Sequence, residues 1–563
     1  MNNEILITDL SNAVIEKDSV SASITLDKWR VMEYETAKCS GTMLYATPEC
    51  MPKDVTIPLN LKGKYYVYLG MFKGKGSTPM VSLRLTSEDE IFLVTPETRY
   101  QWTPLETAVE YFWREVDLNG EGLVLSKPKD YLPHHTALAW VRLVPVTREF
   151  PKKNPLIAYH LDSDYFSDDD YKTPNSITGF IDYYKDGGAD VILQETFAHT
   201  SNVIENLDHR LYKRAGNFVN FHKHKKDFEK ALIKKAHDIG AKIYGTYRLQ
   251  AGEFVAPSDS TGINYVFAED FSDVKEYSCV SRDGRVLGMA SYAYENVRKK
   301  MINSLLNILS VGYDGVSLVF NRGTFVAFEQ PVLDKVKELY GVDARTLPMK
   351  DERYKKVACS FVTEFMRELN KAVIDKFGQK KDINVIVFFT PEESENYGFD
   401  VKTWVNEGLV SSVSQGLMTI YEDLDGCVNE TGLVDLEKYK QKLLEKPTIV
   451  RRYRSNDFDY IVSGAKAFME ICNGKVDFYA TLLWQAHDDA DIIKISDMLK
   501  NAGVKKFISW NANHRAKILN RANTEKFYVA GSKEEYETKI SNYYRVFSIN
   551  GTDVSQFNPS WKG

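Results

Sequence analysis

Short apolar strands alternating with longer helical segments over roughly 400 residues predict an α/β protein whose main domain is a (β/α)8 TIM barrel. Two further observations complete the expected architecture. The first 148 residues carry strand signals and little helix, which reads as an all-β sandwich or jelly-roll domain. Thr147-Arg-Glu-Phe-Pro-Lys-Lys-Asn-Pro155, charged and carrying two prolines, reads as the linker between them.

In the first domain, Lys64-Tyr-Tyr-Val-Tyr-Leu69, Met80-Val-Ser-Leu-Arg-Leu85, Glu90-Ile-Phe-Leu-Val94, Phe112-Trp-Arg-Glu-Val-Asp-Leu118 and Ala137-Leu-Ala-Trp-Val-Arg-Leu-Val144 alternate or run apolar, separated by Gly, Pro, Asp and Lys. Beyond the linker, strands are expected at Leu156–Leu161, Val191–Gln194, Lys242–Tyr247, Gly315–Phe320, Asn384–Phe389, Val410–Val413 (with Met418–Tyr421), Val476–Leu483 and Lys506–Trp510. Helical periodicity fills Lys225–Ile239, Ala290–Leu309, Tyr354–Phe377 and Asp491–Ala502. A doubly wound open sheet would compete with the barrel, but no GxGxxG or GxxxxGK[ST] follows any strand. The expected division is 1–148, 155–530 and a C-terminal extension over 531–563.

Composition excludes several classes of function. With 563 residues, 43% hydrophobic and 27% charged, the chain is that of a soluble multidomain protein. A net charge of -6 gives no reason to expect nucleic acid or an anionic membrane as partner. No apolar run reaches the roughly 18 residues that span a bilayer, and the first ten residues lack the apolar core of a signal peptide. A cytoplasmic location is therefore expected for the chain as it stands. The six cysteines show no CxxC or zinc spacing and are expected as free thiols, with a Cys39–Cys50 disulfide as the less favoured reading.

In a parallel barrel, ligands meet the chain where strands end and loops begin. Alternation along each strand then sorts residues between interior and helix layer. Small or polar side chains put Ala158, His160 and Asp162 inward in the first strand, with Ile157 and Tyr159 toward the helices. They put Gly315, Ser317, Val319 and Asn321 inward in the fourth, Tyr479, Thr481, Gln485 and His487 in the seventh, and Ser509 and Asn511 in the eighth. Trp510 is expected in the helix layer and Trp404 in a helix core, which leaves Trp484 as the platform for a flat ligand. Carboxylates fall at the same face. Asp162 follows the first strand, Glu195 ends the second, Glu329 lies in Phe325-Val-Ala-Phe-Glu-Gln-Pro331, and Glu392 follows the fifth in Thr390-Pro-Glu-Glu393. Two carboxyl groups across one bond are what glycoside hydrolysis requires.

The segment Gly312-Tyr-Asp-Gly-Val-Ser-Leu-Val-Phe-Asn-Arg322 resembles the fourth strand of the family-10-like glycosyl hydrolases, carbohydrate-active barrels in which it reads Asp-Gly-(apolar)-x-(apolar)-Asp-(aromatic)-x-Arg. Asp314, Gly315, Phe320 and Arg322 match, and Val319 stands where the strand Asp would be. Tyr397-Gly-Phe-Asp…Trp404-Val-Asn-Glu-Gly-Leu409 is similar to the approach to the family's sixth strand, and Phe507-Ile-Ser-Trp-Asn511 to its last, with Asn511 in place of Asp. The resemblance implies a glycoside hydrolase acting on an oligo- or polysaccharide. Asp162, Glu195, Glu329 and Glu392 form the pool for its acid and base. His160, Asn321, Arg322, Trp484, Gln485, His487 and Asn511 are the expected substrate contacts, with no cofactor. The two acid losses keep a non-catalytic saccharide-binding barrel as the alternative. His487-Asp-Asp489 with Asp162-Ser-Asp164 keeps a metal-dependent carbohydrate hydrolase or deacetylase as a further one, although no HxxEH is present.

Overall fold

The computed structural model describes residues 4–72, 81–89, 91–94, 107–127, 135–150, 154–160, 181, 184, 188–195, 229–249, 276–320, 324–416, 418–446, 448–453, 457–482, 489–510 and 532–553. Among these, eight parallel strands close into a barrel: Leu156–His160, Val191–Glu195, Lys242–Arg248, Gly315–Val319, Asp382–Val387, Ser412–Gln415, Asp477–Leu482 and Phe507–Ser509. Each pairs with the next in chain order, and Leu156↔Phe507 and Ile157↔Ile508 close the ring. All eight expected strands form, within a few residues of the expected bounds. Met418–Glu422 does not extend the sixth; it pairs antiparallel with Ile449–Tyr453 as a hairpin outside the barrel.

The helices follow from their caps and apolar faces. Glu352–Phe377 starts at Asp351, whose side chain accepts from the Arg353 backbone N–H, and ends at Gly378 in the left-handed region. Its Tyr354, Val357, Ala358, Phe365, Met366 and Leu369 are buried against the barrel. Asp314, singled out by the sequence, serves the end of the barrel remote from the strand C-termini. It accepts the Ile243 N–H at 2.9 Å and lies 3.0 Å from the His237 ring. Gly315 follows because a Cβ there would come within 2.4 Å of the Asp382 carbonyl oxygen.

Ahead of the barrel, the described residues form a nine-stranded and a four-stranded sheet around one core that includes Ile57, Val67, Leu83, Val109, Leu123 and Val141. The tail belongs to the larger sheet. Asn542–Ile549 pairs antiparallel with Thr107–Asn119 through its first half and with Trp29–Thr36 through its second. The short helix Lys533–Lys539 leads into it, and Tyr68 donates to the Thr538 carbonyl at 2.6 Å. The first described strand, Ile5–Ile7, and the last two, Asn542–Ile549 and Thr552–Asp553, thus belong to one sheet, with the barrel strands between them in sequence. Tyr66, Tyr68 and Phe112 of that sheet continue into the core that packs the barrel helices, so the two parts share apolar contact.

A buried acid organises this sheet. Glu110 has no exposed side-chain surface and takes both forks of Arg142, at 2.9 and 2.8 Å, plus the Trp140 indole N–H at 3.0 Å. Trp140 lies against Gly70, where a Cβ would come within 1.9 Å of the indole ring. Gly70→Ala is expected to cost about 1–3 kcal/mol through overpacking, read as a lower urea midpoint with an unchanged slope. An unchanged midpoint would contradict this close approach.

Candidate functional site

The barrel interior is filled in two chemistries. Ile157, Tyr159, Val191, Leu193, Tyr244, Val319, Ile386, Tyr479, Ile508 and Trp510 form one apolar cluster inside the ring. A polar layer joins the fourth, fifth and sixth strands. Ser317 donates to the Asn384 amide oxygen at 2.7 Å, and the Asn384 amide donates to Ser412 at 2.8 Å and Ser414 at 3.0 Å. The fourth and seventh strands have the expected alternation, since Ser317, Val319, Tyr479 and Thr481 face inward.

The first and eighth strands have the reverse of the expected alternation. Ile157 and Tyr159 are interior, while Leu156 and Ala158 pack with the helices. Trp510 is interior too, stacked on Tyr159 with ring centroids 4.9 Å apart, and Ser509 sits in register with Ala158 and Leu482 of the helix-facing set. The physical reason is volume: an eight-stranded ring is a packed core filled by bulky side chains, so the large rings go inside and the small residues meet the helices. The backbone at His160 therefore shares the register of Leu156 and Ala158, and at Glu195 that of Val191 and Leu193. Trp404 is a helix-core residue as expected, its indole donating to Thr363 at 3.0 Å.

Asp162, Asn321, Arg322, Trp484, Gln485, His487 and Asn511 lie outside the described residues. Glu329 is closed off rather than facing the mouth. It is 1% exposed, and it accepts from Ser291 Oγ, from the Ala327 N–H at 3.1 Å and from the Val280 N–H at 3.4 Å. Burial pushes its carboxyl above the ordinary value against those bonds. These contacts fit a carboxylate that fastens the segment before Gln330–Tyr340 to the hairpin of Ser278–Val280 and Val286–Ala290.

Glu392 is exposed on the helix Pro391–Asn396, directly beyond the fifth strand. Thr390 caps this helix, accepting from the Glu393 N–H at 3.2 Å. The fixed cap sets the next side chain, Glu393, toward the hairpin after the sixth strand, where it accepts from Thr419 Oγ1 at 2.6 Å. Its other oxygen, Oε2, is buried and accepts no hydrogen bond among the described residues. Between this helix, the hairpin and the helix Phe458–Cys472 lies a cavity of about 1050 Å³, lined among others by Glu392, Glu393, Tyr397, Tyr421, Glu422 and Tyr460. Gly464 lets the helix Phe458–Cys472 seat on the end of the fifth strand, since a Cβ there would come within 2.1 Å of the Phe389 carbonyl oxygen.

The wall of the cavity is pinned from behind. Arg282, with no exposed side-chain surface, holds both Glu422 oxygens at 2.8 Å. Its remaining nitrogen donates to the Leu347 carbonyl at 2.8 Å and to that of Arg345. Its guanidinium carbon lies 4.4 Å from the Phe328 ring centroid. Burial raises the Glu422 carboxyl and the Arg282 charge opposes the rise. The pair joins the turn after the third barrel strand to the hairpin after the sixth. Glu393 had a sequence signal, the capping pattern Thr-x-x-Glu before a helix. Arg282 and Glu422 had none, because they are 140 residues apart.

The arrangement offers half-buried carboxylates beside aromatic rings, next to the strand ends of a parallel barrel. Among the described residues no group of three or more His, Cys, Asp or Glu is placed to hold a metal ion, and no described helix is long and apolar enough to cross a membrane. No family model matches the chain, and no curated protein does. Among solved structures it is similar to the catalytic domain of beta-amylase from Paenibacillus polymyxa, at 11% identity over 69% of this chain and 97% of that one, with a TM-score of 0.39. It is similar to the glycoside hydrolase domain of PelA from Pseudomonas aeruginosa, at 12% identity over 63% and 94%, with a TM-score of 0.30. The alpha-galactosidase TtGalA from Thermus thermophilus matches at 10% identity over 85% and 90%, with a TM-score of 0.30. These structural neighbours are glycoside hydrolases, but likeness at this level carries no argument about this chain, and the barrel stands on its own strand register.

Arg282→Met should cost about 3–5 kcal/mol, because it leaves Glu422 buried without a counter-charge. Chemical denaturation checks this, and Arg282→Met combined with Glu422→Leu should recover most of the loss. Equal stability of the single variant and the parent would show that the pair does not hold the two loops together.

Proposed function

We propose that the protein is a glycoside hydrolase that cleaves an oligo- or polysaccharide by carboxylate acid/base catalysis. The observation that carries the reading is Glu392 on the rim of an aromatic, carboxylate-lined cavity beside the C-terminal ends of closed-barrel strands. The sequence resemblance to family-10-like glycosyl hydrolases supports the same class. In this reading one carboxylic acid protonates the leaving glycosidic oxygen, while a second carboxylate attacks the sugar or activates water. The pair is drawn from Asp162, Glu195 and Glu392. Glu329, fastened by its hydrogen bonds, acts as a positioning residue for the loop that follows the fourth strand. His160, Asn321, Arg322, Trp484, Gln485, His487 and Asn511 supply hydroxyl recognition and stacking in the same proposal, amides and guanidinium groups suiting sugar hydroxyls.

A second reading has one observation in its favour. Val319, fully buried in the interior cluster, occupies the position of the acid in the resembling strand. A saccharide-binding barrel without turnover would have that feature. Release of reducing sugar or chromophore from a broad panel of oligosaccharides and aryl glycosides separates the two. Asp162→Asn, Glu195→Gln and Glu392→Gln are compared with the parent, and two of the three should lose at least about a hundredfold in kcat, the scale of general acid/base catalysis. Glu329→Gln should lower stability more than kcat. No turnover of any panel member, with saccharide binding retained, would select the binding protein.

A further inference from the structure

Residues 532–553 join parts of the molecule that lie far apart in sequence. Ser532 caps the helix Lys533–Lys539, accepting from the Glu535 N–H at 3.0 Å. One turn on, Lys539 donates to Glu535 Oε1 at 2.8 Å, and both side chains are buried. The surroundings of this ion pair come from other segments. The Lys539 ammonium lies 5.6 Å from the ring centroid of Tyr66, 5.5 Å from that of Phe112 and 5.3 Å from that of Phe150. Tyr66 and Phe112 stand on paired strands of the nine-stranded sheet, Lys62–Phe72 and Thr107–Asn119, and Phe150 precedes the first barrel strand. At such distances the ring quadrupoles attract the cation. Other side chains of the helix face the barrel. Tyr536 is buried in the core that packs the barrel helices, and Ile540 packs against it. Burial opposes the charge of Lys500, in the helix Asp489–Asn501 between the seventh and eighth barrel strands, and Glu534 and Glu535 help to hold it. Beyond the helix the chain is fixed in the sheet. The Arg545 carbonyl accepts from the Ala37 N–H at 2.8 Å, and the Asn550 N–H donates to the Glu33 carbonyl at 2.9 Å.

We propose that residues 532–553 are a strap that makes the N-terminal sheets and the barrel open as one unit, with the Lys539–Glu535 pair among Tyr66, Phe112 and Phe150 as its clasp. Apolar burial alone is non-directional and would hold the two parts without fixing one arrangement. The clasp supplies direction, since the ammonium must meet three rings and one carboxylate together, and Tyr68 fixes the Thr538 carbonyl beside it. Freeing the sheets from the barrel takes the rings from the cation and the barrel core from Tyr536, so neither part loosens alone.

Native-state hydrogen exchange of the full chain, read by mass spectrometry over a urea series below the unfolding transition, tests it. In the parent, the slowest amides of the sheets, around Val67 and Val141, and of the barrel, around Val316 and Val413, should converge on one opening equilibrium with one urea slope. Lys539→Glu puts a second carboxylate beside Glu535 among the rings, and Tyr536→Ala removes the ring that enters the barrel core. Each should split the two sets, sheet amides opening at least about tenfold more often than barrel amides. Val385→Ala, in the fifth barrel strand and outside the strap, should instead raise both openings by the same factor. Different urea dependence of the two sets in the parent would overturn the proposal. So would common opening retained in both strap variants, or a Val385→Ala effect confined to the barrel. If Lys539→Glu does not fold, the parent, Tyr536→Ala and Val385→Ala decide the question.

Discussion

Closure of the barrel between its first and last strands is the constraint on which the rest of the structure depends. Trp510, just beyond the eighth strand, stacks on Tyr159 of the first and donates its indole N–H toward Thr481 of the seventh at 3.0 Å and the Gln415 carbonyl of the sixth at 3.2 Å. One side chain at the end of the eighth strand therefore touches three others at the seam. Gln415 carries the tie outward, its amide donating to the Phe389 and Ile461 carbonyls at 3.0 Å each. That bond sets the helix Phe458–Cys472 against the fifth strand, and the cavity wall is that helix. Aromatic stacking and buried hydrogen bonds each contribute on the order of 1 kcal/mol, so the seam outweighs any single surface contact.

The loops after the strands are held by two buried carboxylates with different partners. Glu329 is satisfied by backbone N–H groups and a serine, and Glu422 by a guanidinium. Both are desolvated, and both carboxyl groups are displaced upward by burial. Such groups raise specificity of loop placement more than net stability, since desolvation offsets much of the attraction. Glu393 differs from both: one oxygen accepts from Thr419, and the other is buried with no hydrogen-bond partner among the described residues.

Much of the fold was legible in the chain. Periodicity located all eight barrel strands because each is a short apolar run bounded by turn residues. It misjudged two alternations for a physical reason. Ala158 and His160 look like interior residues beside Tyr159, but an eight-stranded interior needs the volume of Tyr159 and Trp510. Where polar residues pair across strands, as Ser317 does with Asn384, the alternation was readable. Asn542–Ile549 escaped because its partners, Thr107–Asn119 and Trp29–Thr36, lie more than 400 residues away, and no local pattern encodes such a pairing. The site was less legible. The place of Glu392 just beyond a strand could be read from the sequence, whereas Arg282 and Glu422 meet only in the folded chain.

The central claim is that saccharide is cleaved at the C-terminal ends of the barrel strands. A crystal structure with a thio-linked, uncleavable oligosaccharide tests it most directly. The account predicts the linkage between two carboxyl groups from the loops after the strands, about 5–5.5 Å apart for retention or about 6.5–9.5 Å apart for inversion. Sugar bound only on the N-terminal sheets, or at the barrel mouth with no such pair across the linkage, would contradict it.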